Sequence, residues 1–372
     1  MNSLARFFIK KVLTPIGIVI NGPAPEDIQV RDERFYRRVF LGGSLGLGES
    51  YIDGWWDVKA LDIFFTKILS KQLPAWAMFS APVLLQRMVN QLTNFPQWRA
   101  YHIGRTHYDI GNDLYEAMLG PTMTYSCGYW HGSQTLDRAQ EAKFDRVCRK
   151  LELQKGQRLL DIGCGWGGLA RHAAACYGVA VVGITVSQEQ AKLAREFCRG
   201  LPVEIRYQDY REVRDLFDRV VSIGMFEHVG YKNYRTFMQV VRRSLKDDGL
   251  FLLHTIGSLI TGADSDPWIV KYIFPDSKIP SLAQIAGAAE GVFLVEDLEN
   301  IGADYDKTLM SWWRNFEAHW PVLRLRYDER FRRMWQYYLL MCAGIFRSRR
   351  QQVWQTVCSK RGVPGGYHRI GS

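Results

Sequence analysis

Five short apolar segments alternate with helical patterns through the middle of the chain. They lie at 158–162, 180–185, 203–207, 217–224 and 250–257, and helical periodicity covers 136–153 and 169–177. Strands that are joined through helices pair in parallel, because each helix returns the chain to the same end of the sheet. The alternation therefore predicts an α/β fold with a parallel sheet and helices on both of its faces. Ligands of such sheets bind beyond the carboxyl ends of the strands.

Residues 1–92 lack this alternation and predict a small, mainly helical N-terminal domain. The stretch 93–106, which has a proline and little periodicity, predicts a linker, and 107–372 then forms the second domain. No run of 18 apolar residues occurs, so no transmembrane helix is predicted. The N-terminal end contains a proline and no small-residue cleavage site, which favours mature protein over a signal peptide. Seven cysteines without metal-ligand spacing predict reduced thiols and no metal site.

The net charge of +10 is concentrated at the C-terminal end of the chain. From Pro321 onward, eleven Lys and Arg residues stand against two acids, Asp328 and Glu329. The basic segment, 330–354, interleaves these charges with aromatic and aliphatic residues. The pattern is typical of a helix with a buried stripe and a solvated basic face, and it also fits a surface that meets anionic lipid or nucleic acid. Charge alone does not separate these alternatives.

The first predicted strand ends in a glycine-rich loop, RLLDIGCGWGG. Gly163, Gly165 and Gly167 alternate after Asp161. A dinucleotide site has the spacing G-x-G-x-x-G and an acid after the second strand, whereas this loop has G-x-G-x-G-G and the second strand ends in Thr185. A pyrophosphate ligand is therefore the weaker interpretation, and a nucleoside with an amino-acid tail, namely S-adenosylmethionine, fits better. Asp161 is expected to orient the loop or to meet the amino group of that ligand.

Polar side chains after the second and third strands are candidates for the rest of the ligand. Asp209, beside Gln208, is predicted to accept from the exocyclic amine of adenine, and the alternative is an ordinary loop or N-cap aspartate. Gln190 completes a capping box with Ser187, which suffices to explain it. With Thr185 nearby, Gln190 is also a candidate for contact with the ribose hydroxyls, and the sequence leaves both roles open.

Two further strand ends carry groups that handle protons. Glu227 and His228 follow the fourth strand, and the fifth strand brings His254 to its carboxyl end. A lone histidine there is most often structural, but a carboxylate and an imidazole on neighbouring strand ends indicate proton transfer or ion binding. Cys127 has no activating neighbour in the sequence and is predicted to be a buried thiol.

Long, ordered motifs carry a family resemblance. They include YDIGNDLYEAMLGPTMTYSCGYW, LLDIGCGWGG, GITVSQEQ, VSIGMFEHVGYKNY and GADYDKTLMSWW. Together they resemble the cyclopropane-fatty-acyl-phospholipid synthase family over essentially the whole chain, and residues 1–92 resemble its phospholipid-acting branch. The resemblance implies a Rossmann-like class I methyltransferase fold and an enzyme that uses S-adenosylmethionine. In the implied reaction, the cis double bond of an unsaturated acyl chain takes the sulfonium methyl, and the resulting carbocation loses a proton and closes to a ring.

The resemblance also assigns site residues. It implies cofactor contacts at Tyr125, Ser126 and Tyr210, in addition to Asp161, Gly163, Gly165, Thr185, Gln190, Gln208 and Asp209. It implies that a bound bicarbonate ion removes the proton, held at the catalytic positions Cys127, Glu227, His254 and Tyr305 and by backbone near Gly224 and Ile256. Because a carboxylate repels bicarbonate, we expect Glu227 to accept the ion's proton in a hydrogen bond and to leave another oxygen as the base.

The implied substrate chains lie in a bilayer, so the enzyme has to reach a membrane. The expected partners are unsaturated phospholipids, an anionic membrane surface and a second copy in a homodimer, with no nucleic acid. The expected location is the cytoplasm, peripherally associated with the inner face of the cytoplasmic membrane. The N-terminal SLARFFIKKVL is either a docking segment or a first core helix. The rival functions are a methyltransferase with a methyl-branched or methylidene product, a nucleic-acid-binding protein, and a non-catalytic lipid-binding protein.

Overall fold

The computed structural model describes residues 2–71, 111–262, 265–275 and 277–371. Its α-helices are α1 Asn2–Leu13, α2 Arg34–Ile52, α3 Leu61–Ser70, α4 Asn112–Leu119, α5 Leu136–Lys150, α6 Gly168–Tyr177, α7 Gln188–Phe197, α8 Tyr234–Ser244, α9 Pro267–Tyr272, α10 Leu282–Ala289, α11 Asp304–Leu323 and α12 Glu329–Arg347. Its strands are β1 Gln29–Val30, β2 Trp56–Asp57, β3 Arg158–Ile162, β4 Ala180–Thr185, β5 Val203–Tyr207, β6 Phe217–Ile223, β7 Leu245–Ser258, β8 Leu294–Asn300 and β9 Gln351–Ser359. The predicted linker, 93–106, lies outside the described residues and stays a prediction.

The described residues fall into two compact units. The first takes its residues from Met1–Thr93, Asp264–Pro275 and Leu309–Arg350, and the second from Asn94–Ala263, Asp276–Thr308 and Gln351–Ser372. The first unit is therefore not the contiguous segment 1–92 of the sequence prediction, because two later segments share its core.

Helix α12 shows why later residues join the first unit. The ring of Tyr337 packs 5.1 Å from Phe65 of α3 and 5.5 Å from Tyr51 of α2. The basic side chains of α12 pair with acids of the same unit at 2.6–2.9 Å: Arg332 with Glu317, Arg333 with Asp57, and Arg347 with Asp62. The packing of Tyr337 shows that the helix has a buried stripe. The helical pattern of the basic segment nevertheless ends at Arg347, and the chain enters β9 at Gln351.

The second unit is built on a seven-stranded sheet with the order β5-β4-β3-β6-β7-β9-β8. Strands β3 to β7 run parallel, as the alternation predicts. Strand β9 is antiparallel to both β7 and β8, so the sheet is mixed at this end, a feature that the alternation does not predict. The sequence does not indicate the pairing of β8 with β9, because α11 and α12 separate the two strands along the chain.

Apolar layers cover both faces of the sheet. Successive strand residues point to opposite faces, so Leu160 and Ile162 pack in one cluster with Phe237 of α8, while Leu159 packs in another with Phe144 of α5. The predicted helices on both faces are therefore confirmed. This layering leaves the strand ends, rather than the faces, available for a ligand.

Within the described ranges, no helix combines the length and the apolarity that crossing a bilayer requires.

Candidate active site

A pocket lies at the carboxyl ends of the parallel strands of the second unit. Ile162, Thr185 and Ile223, at the ends of β3, β4 and β6, all line it. This edge binds ligands in doubly wound sheets, because the connecting loops diverge there. The lining includes every residue that was predicted to contact the cofactor: Tyr125, Ser126, Asp161, Gly163, Gly165, Thr185, Gln190, Gln208, Asp209 and Tyr210.

The glycine-rich loop needs glycine for its backbone conformation as well as for space. Gly163, Gly165 and Gly167 have φ angles of +85°, +54° and +86°, a region that residues with a side chain rarely adopt. A Cβ on Gly163 would lie 2.8 Å from Met225 Cβ, whereas one on Gly165 would meet no atom of a described residue within 4 Å. Gly163 therefore lets the loop pack against the protein, and Gly165 keeps space open in the pocket.

Asp161 is buried at the end of β3, where it lines the pocket. Burial raises the pKa of its carboxyl to about 7, and the ammonium group of Lys143 partly offsets this effect. A cationic amino group bound nearby would favour the ionised carboxylate. The environment of Asp161 thus suits the amino group of an amino-acid tail, which was its predicted partner.

Thr185 and Gln190 join the end of β4 to the first turn of α7. Ser187 Oγ accepts from Gln190 N at 3.3 Å, which is the first half of the predicted capping box. The second half is not formed, because Gln190 Oε1 accepts from Thr185 Oγ1 at 2.9 Å. The N-cap interpretation therefore accounts for the backbone of Gln190, while its side-chain amide still has N–H donors to offer a ligand. Contact with the ribose stays a prediction.

Asp209 fits both of its interpretations. It caps the short 3-10 turn Tyr210–Glu212, where its Oδ1 accepts from Arg211 N at 2.9 Å. Its two carboxylate oxygens also accept from the Arg211 guanidinium, each at 2.8 Å. Each carboxylate oxygen has two lone pairs, so Asp209 retains an acceptor for the adenine amine. The cap is thus observed, and the adenine contact stays a prediction.

Tyr125 and Ser126 reach the pocket from the segment before α5. The ring of Tyr125 packs 5.4 Å from that of Tyr115. Helix α5 holds Ser126 at two atoms, because Gln140 Nε2 donates to its carbonyl oxygen at 2.9 Å and Lys143 Nζ donates to its Oγ at 2.8 Å. The sequence did not indicate Gln140 or Lys143, although their i, i+3 spacing on a predicted helix would place them on one face.

A buried polar cluster lies at the ends of β6 and β7. Glu227 Oε1 accepts from Ile256 N at 2.7 Å, and Gly224 N donates to His254 O at 2.9 Å. Glu227 Oε2 is buried and has no hydrogen-bond partner among the described residues. Burial raises the pKa of Glu227 to about 7 and lowers the pKa of His254 well below its usual value. An orphaned carboxyl oxygen in a cluster with a neutral imidazole suits a small ion that itself carries a proton.

The predicted bicarbonate residues relate to the pocket in different ways. Gly224 lines it, whereas Cys127, Glu227, His254, Ile256 and Tyr305 do not appear in its lining. His228, the neighbour of Glu227, does line the pocket, and burial lowers its pKa to about 4. The polar cluster therefore adjoins the pocket through Gly224.

Cys127 and Tyr305 are linked through the segment between β8 and α11. Cys127 Sγ lies 3.8 Å from the carbonyl oxygen of Ile301, and Tyr305 follows in the first turn of α11. Burial raises the pKa of the Cys127 thiol well above its usual value, in agreement with the prediction of a buried thiol rather than an activated nucleophile. Lys143 acts electrostatically on both Cys127 and His254, so the two parts of the predicted bicarbonate set share one neighbourhood.

Gln355 is a polar residue of this cluster that the sequence did not indicate. The antiparallel pairing of β7 with β9 places it opposite His254, and its Nε2 lies 3.2 Å from His254 Nδ1. In this orientation of the amide, Nε2 donates and Nδ1 accepts, which corresponds to the neutral imidazole with its proton on Nε2. Gln355 thus sets the tautomer of His254. It was missed because β9 itself was not predicted.

We expect Gln355→Leu to reduce turnover about tenfold, because loss of one buried hydrogen-bond partner costs roughly 1–3 kcal/mol. Nitrogen NMR of the His254 ring would report the tautomer directly, and the variant should show a mixture. Thr356→Val, a change at the adjacent buried position of β9, is the control and should leave the tautomer unchanged. Equal tautomer populations in wild type and Gln355→Leu would remove this role.

Comparisons with known proteins agree with this geometry. Residues 97–356 match the family model of the mycolic acid cyclopropane synthetases. The cyclopropane-fatty-acyl-phospholipid synthase of Escherichia coli (strain K12) is 52% identical over 360 residues, which cover 96% of this chain and 93% of that protein.

Two solved structures of cyclopropane synthases are similar to the chain. MmaA2 from Mycobacterium tuberculosis is 32% identical with a TM-score of 0.66, covering 71% of this chain and 99% of that one. The mycolic acid cyclopropane synthase CmaA1, solved with SAH and CTAB, is 33% identical with a TM-score of 0.65, covering 72% and 99%. The chain therefore belongs to the mycolic acid cyclopropane synthetase family, and its second unit has the fold of the class I S-adenosylmethionine-dependent methyltransferases.

Proposed function

We propose that this protein is a cyclopropane-fatty-acyl-phospholipid synthase, which transfers a methylene group from S-adenosylmethionine across the cis double bond of acyl chains in membrane phospholipids. The observation that carries the proposal is one pocket lined by all ten predicted cofactor residues and joined at Gly224 to the buried cluster of Glu227 and His254. The high identity to a phospholipid-acting relative over nearly the whole chain supports the same substrate class.

The donor set of the pocket fits S-adenosylmethionine. Asp161 offers a carboxyl group to an ammonium, Ser126 offers a hydroxyl, and Gln190 and Asp209 offer an amide and a carboxylate to a nucleoside. The bound cosubstrate supplies an electrophilic methyl group on a sulfonium. The protein's own task is to hold the alkene in line with that methyl, because an alkene is a weak nucleophile and positioning has to supply much of the rate.

The chemistry balances with one base. The π electrons of the double bond form a bond to the methyl carbon while the carbon–sulfur bond breaks, which leaves a carbocation on the acyl chain. A proton then leaves the transferred methyl group, and its C–H electron pair closes the ring. The buried surroundings of Glu227 and His254 exclude water, which would otherwise trap the cation.

We infer that bicarbonate is the base and that Cys127, Gly224, Glu227, His254, Ile256 and Tyr305 hold it. The orphaned Oε2 of Glu227 supports this inference, because an ionised carboxyl oxygen needs a donor and bicarbonate carries an O–H. His254, with its proton on Nε2, would donate a second hydrogen bond to the ion. Bicarbonate would supply a base of moderate strength.

Turnover should depend on bicarbonate as a separate ligand. In buffer that is freed of carbon dioxide, we expect the rate to fall at least tenfold, and added bicarbonate should restore it with saturation. Affinity for S-adenosylhomocysteine should stay the same, because the ion does not occupy the cofactor pocket. A rate that is unchanged in the depleted buffer would contradict the assignment of the base.

We propose that α1 and the start of α2 dock on an anionic membrane. Apolar side chains are exposed here, with Leu4 53% and Phe7 61% accessible, and Phe40 and Leu41 are also exposed. Lys10 and Lys11 lie in the last turn of α1. Buried Ala5 and Leu13 also tie the helix to its unit, so the helix has a core face and an exposed apolar face. A basic and apolar surface of this kind partitions to the interface of anionic bilayers. We further propose, as the family resemblance implies, that the enzyme is cytoplasmic, acts at the inner face of the membrane and is a homodimer.

Phe7→Asp should weaken binding to vesicles of anionic phospholipid about tenfold or more, because it removes an apolar anchor and adds a repelled charge. Co-sedimentation with vesicles would measure the change. Leu216→Asp, a substitution at a similarly exposed apolar residue of the second unit, is the matched control and should bind like wild type. Equal binding by the two variants would contradict docking through α1.

The function itself is tested with purified protein, S-adenosylmethionine and vesicles of cis-monounsaturated phospholipid. Proton NMR of the extracted lipid should show high-field cyclopropyl signals as the olefinic signals fade. Methyl or methylidene signals would instead favour the methyltransferase alternative. No change in the lipid, together with salt-sensitive binding to DNA or RNA that exceeds binding to vesicles, would favour the nucleic-acid-binding alternative.

A further inference from the structure

Lys143 is a fully buried ammonium group in the wall of the pocket. It lies on α5, has no exposed surface, and lines the pocket with Asp161 and Ser126. The neighbouring cations of the same helix have carboxylate partners, since Arg146 and Lys150 pair with Glu299 at 2.6 and 2.7 Å and Lys150 also lies 3.5 Å from Asp297. Among the described residues, no carboxylate lies within 4 Å of Lys143 Nζ, whose hydrogen bond goes to Ser126 Oγ.

The hydrogen bonds around Ser126 fix the orientation of its hydroxyl group. An ammonium group has donors only, so Ser126 Oγ accepts from Lys143 at 2.8 Å. The hydroxyl proton of Ser126 is therefore free to be donated to a third group. Gln140 Nε2 holds the carbonyl oxygen of the same residue at 2.9 Å. Ser126 is thus presented as an oriented donor that is backed by a positive charge, and this arrangement favours an anionic acceptor.

The charges that face Lys143 point the same way. Burial lowers the pKa of Lys143 to about 7, and interactions with Cys127 and Asp161 partly offset this effect. An anion bound nearby would favour the charged ammonium. Asp161, on β3, is the acidic group of the pocket wall that acts on Lys143. One wall of the pocket therefore carries a carboxyl and an ammonium, which is the complement of a zwitterionic amino acid.

We propose that Lys143, acting through Ser126, binds the carboxylate of the amino-acid tail of S-adenosylmethionine. Asp161, on the same wall of the pocket, binds the amino group of that tail. The proposal rests on the proposed function, in that it takes S-adenosylmethionine as the ligand of the pocket. Bicarbonate is the alternative anion for this position. The tail is favoured because Lys143 and Ser126 line the pocket, whereas Cys127, Glu227 and His254 do not appear in its lining. Lys143 is thus a positioning residue.

Two ligands that differ in the amino-acid tail test the proposal by calorimetric titration. S-Adenosylhomocysteine carries the carboxylate, and 5′-methylthioadenosine lacks the whole tail. We expect Lys143→Met to bind the first ligand about 10- to 100-fold more weakly and the second unchanged, because the lost contact is a charge-assisted hydrogen bond. Equal weakening of both ligands, or no change in either, would overturn the proposal. A raised KM for bicarbonate with unchanged affinity for S-adenosylhomocysteine would assign the cation to bicarbonate instead.

Further variants keep the test decisive if Lys143→Met folds poorly. Ser126→Ala should give the same selective loss, and the double variant should lose no more than either single variant, because the two residues act in series. Lys150→Met removes another buried lysine from α5 and should leave the ratio of the two affinities unchanged, whatever it does to the melting temperature. Wild-type protein that binds neither ligand would refute the proposed function rather than the role of Lys143.

Discussion

Glu227→Gln should reduce turnover by about 100- to 1,000-fold and leave the affinity for S-adenosylhomocysteine near that of wild type. The amide keeps the shape of the side chain but cannot supply an ionised oxygen to the proton of bicarbonate, and a positioned proton acceptor is worth about this factor. Oε1 is already engaged with Ile256 N at 2.7 Å, so the orphaned Oε2 is the atom that carries the effect. Single-turnover measurements with saturating cosubstrate would separate the chemical step from binding.

The pH dependence of kcat/KM provides a second test of the role of Glu227. Its pKa is raised to about 7 by burial, so the carboxylate is lost as the pH falls through that value. With bicarbonate kept saturating at each pH, so that its own protonation does not limit the rate, we therefore expect kcat/KM of the wild type to decline below about pH 7 and Glu227→Gln to lack this decline. If the decline of kcat/KM at low pH persists unchanged in the variant, a group other than Glu227 causes it.

As the pH rises, ionisation of Glu227 is expected to increase activity but to decrease the stability of the fold. A raised pKa in the fold means that the neutral carboxyl is favoured, so its stabilising effect is full below the unfolded pKa of about 4.5 and is lost as the pH rises through about 7. Above pH 7 the variant should therefore be more stable than the wild type, by up to about 3 kcal/mol. Denaturant unfolding at two pH values would measure this. A variant that is inactive and also less stable would indicate a damaged fold instead of a lost proton acceptor.

Gly163→Ala should destabilise the protein by about 2–4 kcal/mol and abolish most cofactor binding. The new Cβ would lie 2.8 Å from Met225 Cβ, and the residue would keep a φ of +85°. Strain of this kind in a residue with a side chain costs roughly 1–2 kcal/mol, and overpacking typically costs about 1–3 kcal/mol. Denaturant unfolding and titration with S-adenosylhomocysteine would report the two losses.

Gly165→Ala is the matched comparison, because it adds the same methyl group two residues away. Its φ is +54° and its Cβ would meet no atom of a described residue within 4 Å, so the stability loss should be only about 1 kcal/mol. Its affinity for S-adenosylhomocysteine should still fall about tenfold or more, because the methyl group occupies space at the pocket. Equal losses of stability in both variants would contradict these distinct roles for the two glycines.

The parallel part of the fold was predictable because its signals are local. Each strand from β3 to β7 is a short apolar run with a helical pattern on at least one side, so the sequence specifies both the element and its pairing. The strands β8 and β9 were not predicted, because their pairing joins residues that are more than fifty positions apart in the sequence. The composition of the first unit was not predicted for the same reason, because Tyr337 packs in a core with Tyr51, which lies far away in the sequence.

The residues of the candidate site likewise fall into those with a local sequence signal and those without one. Residues that lie directly at a strand end, such as Asp161, Thr185 and Asp209, were found from their position in the βα pattern and do line the pocket. Lys143 and Gln355 were not found, because their importance depends on which helix or strand packs against them. The two interpretations of Asp209 could not be separated by sequence, and in the structure one carboxylate caps a turn while it lines the pocket.

The reaction is tested most directly with S-adenosylmethionine that carries a trideuterated methyl group. The purified protein would be incubated with this cosubstrate and vesicles of cis-monounsaturated phospholipid, and the lipid would be examined by deuterium NMR and mass spectrometry. Ring closure after loss of one deuteron predicts a cyclopropane with a CD2 bridge, with the third deuteron in the solvent. A CD3 branch on the acyl chain, or a CD2 group at an olefinic position, would contradict ring formation, and an unlabelled lipid would contradict the proposed reaction as a whole.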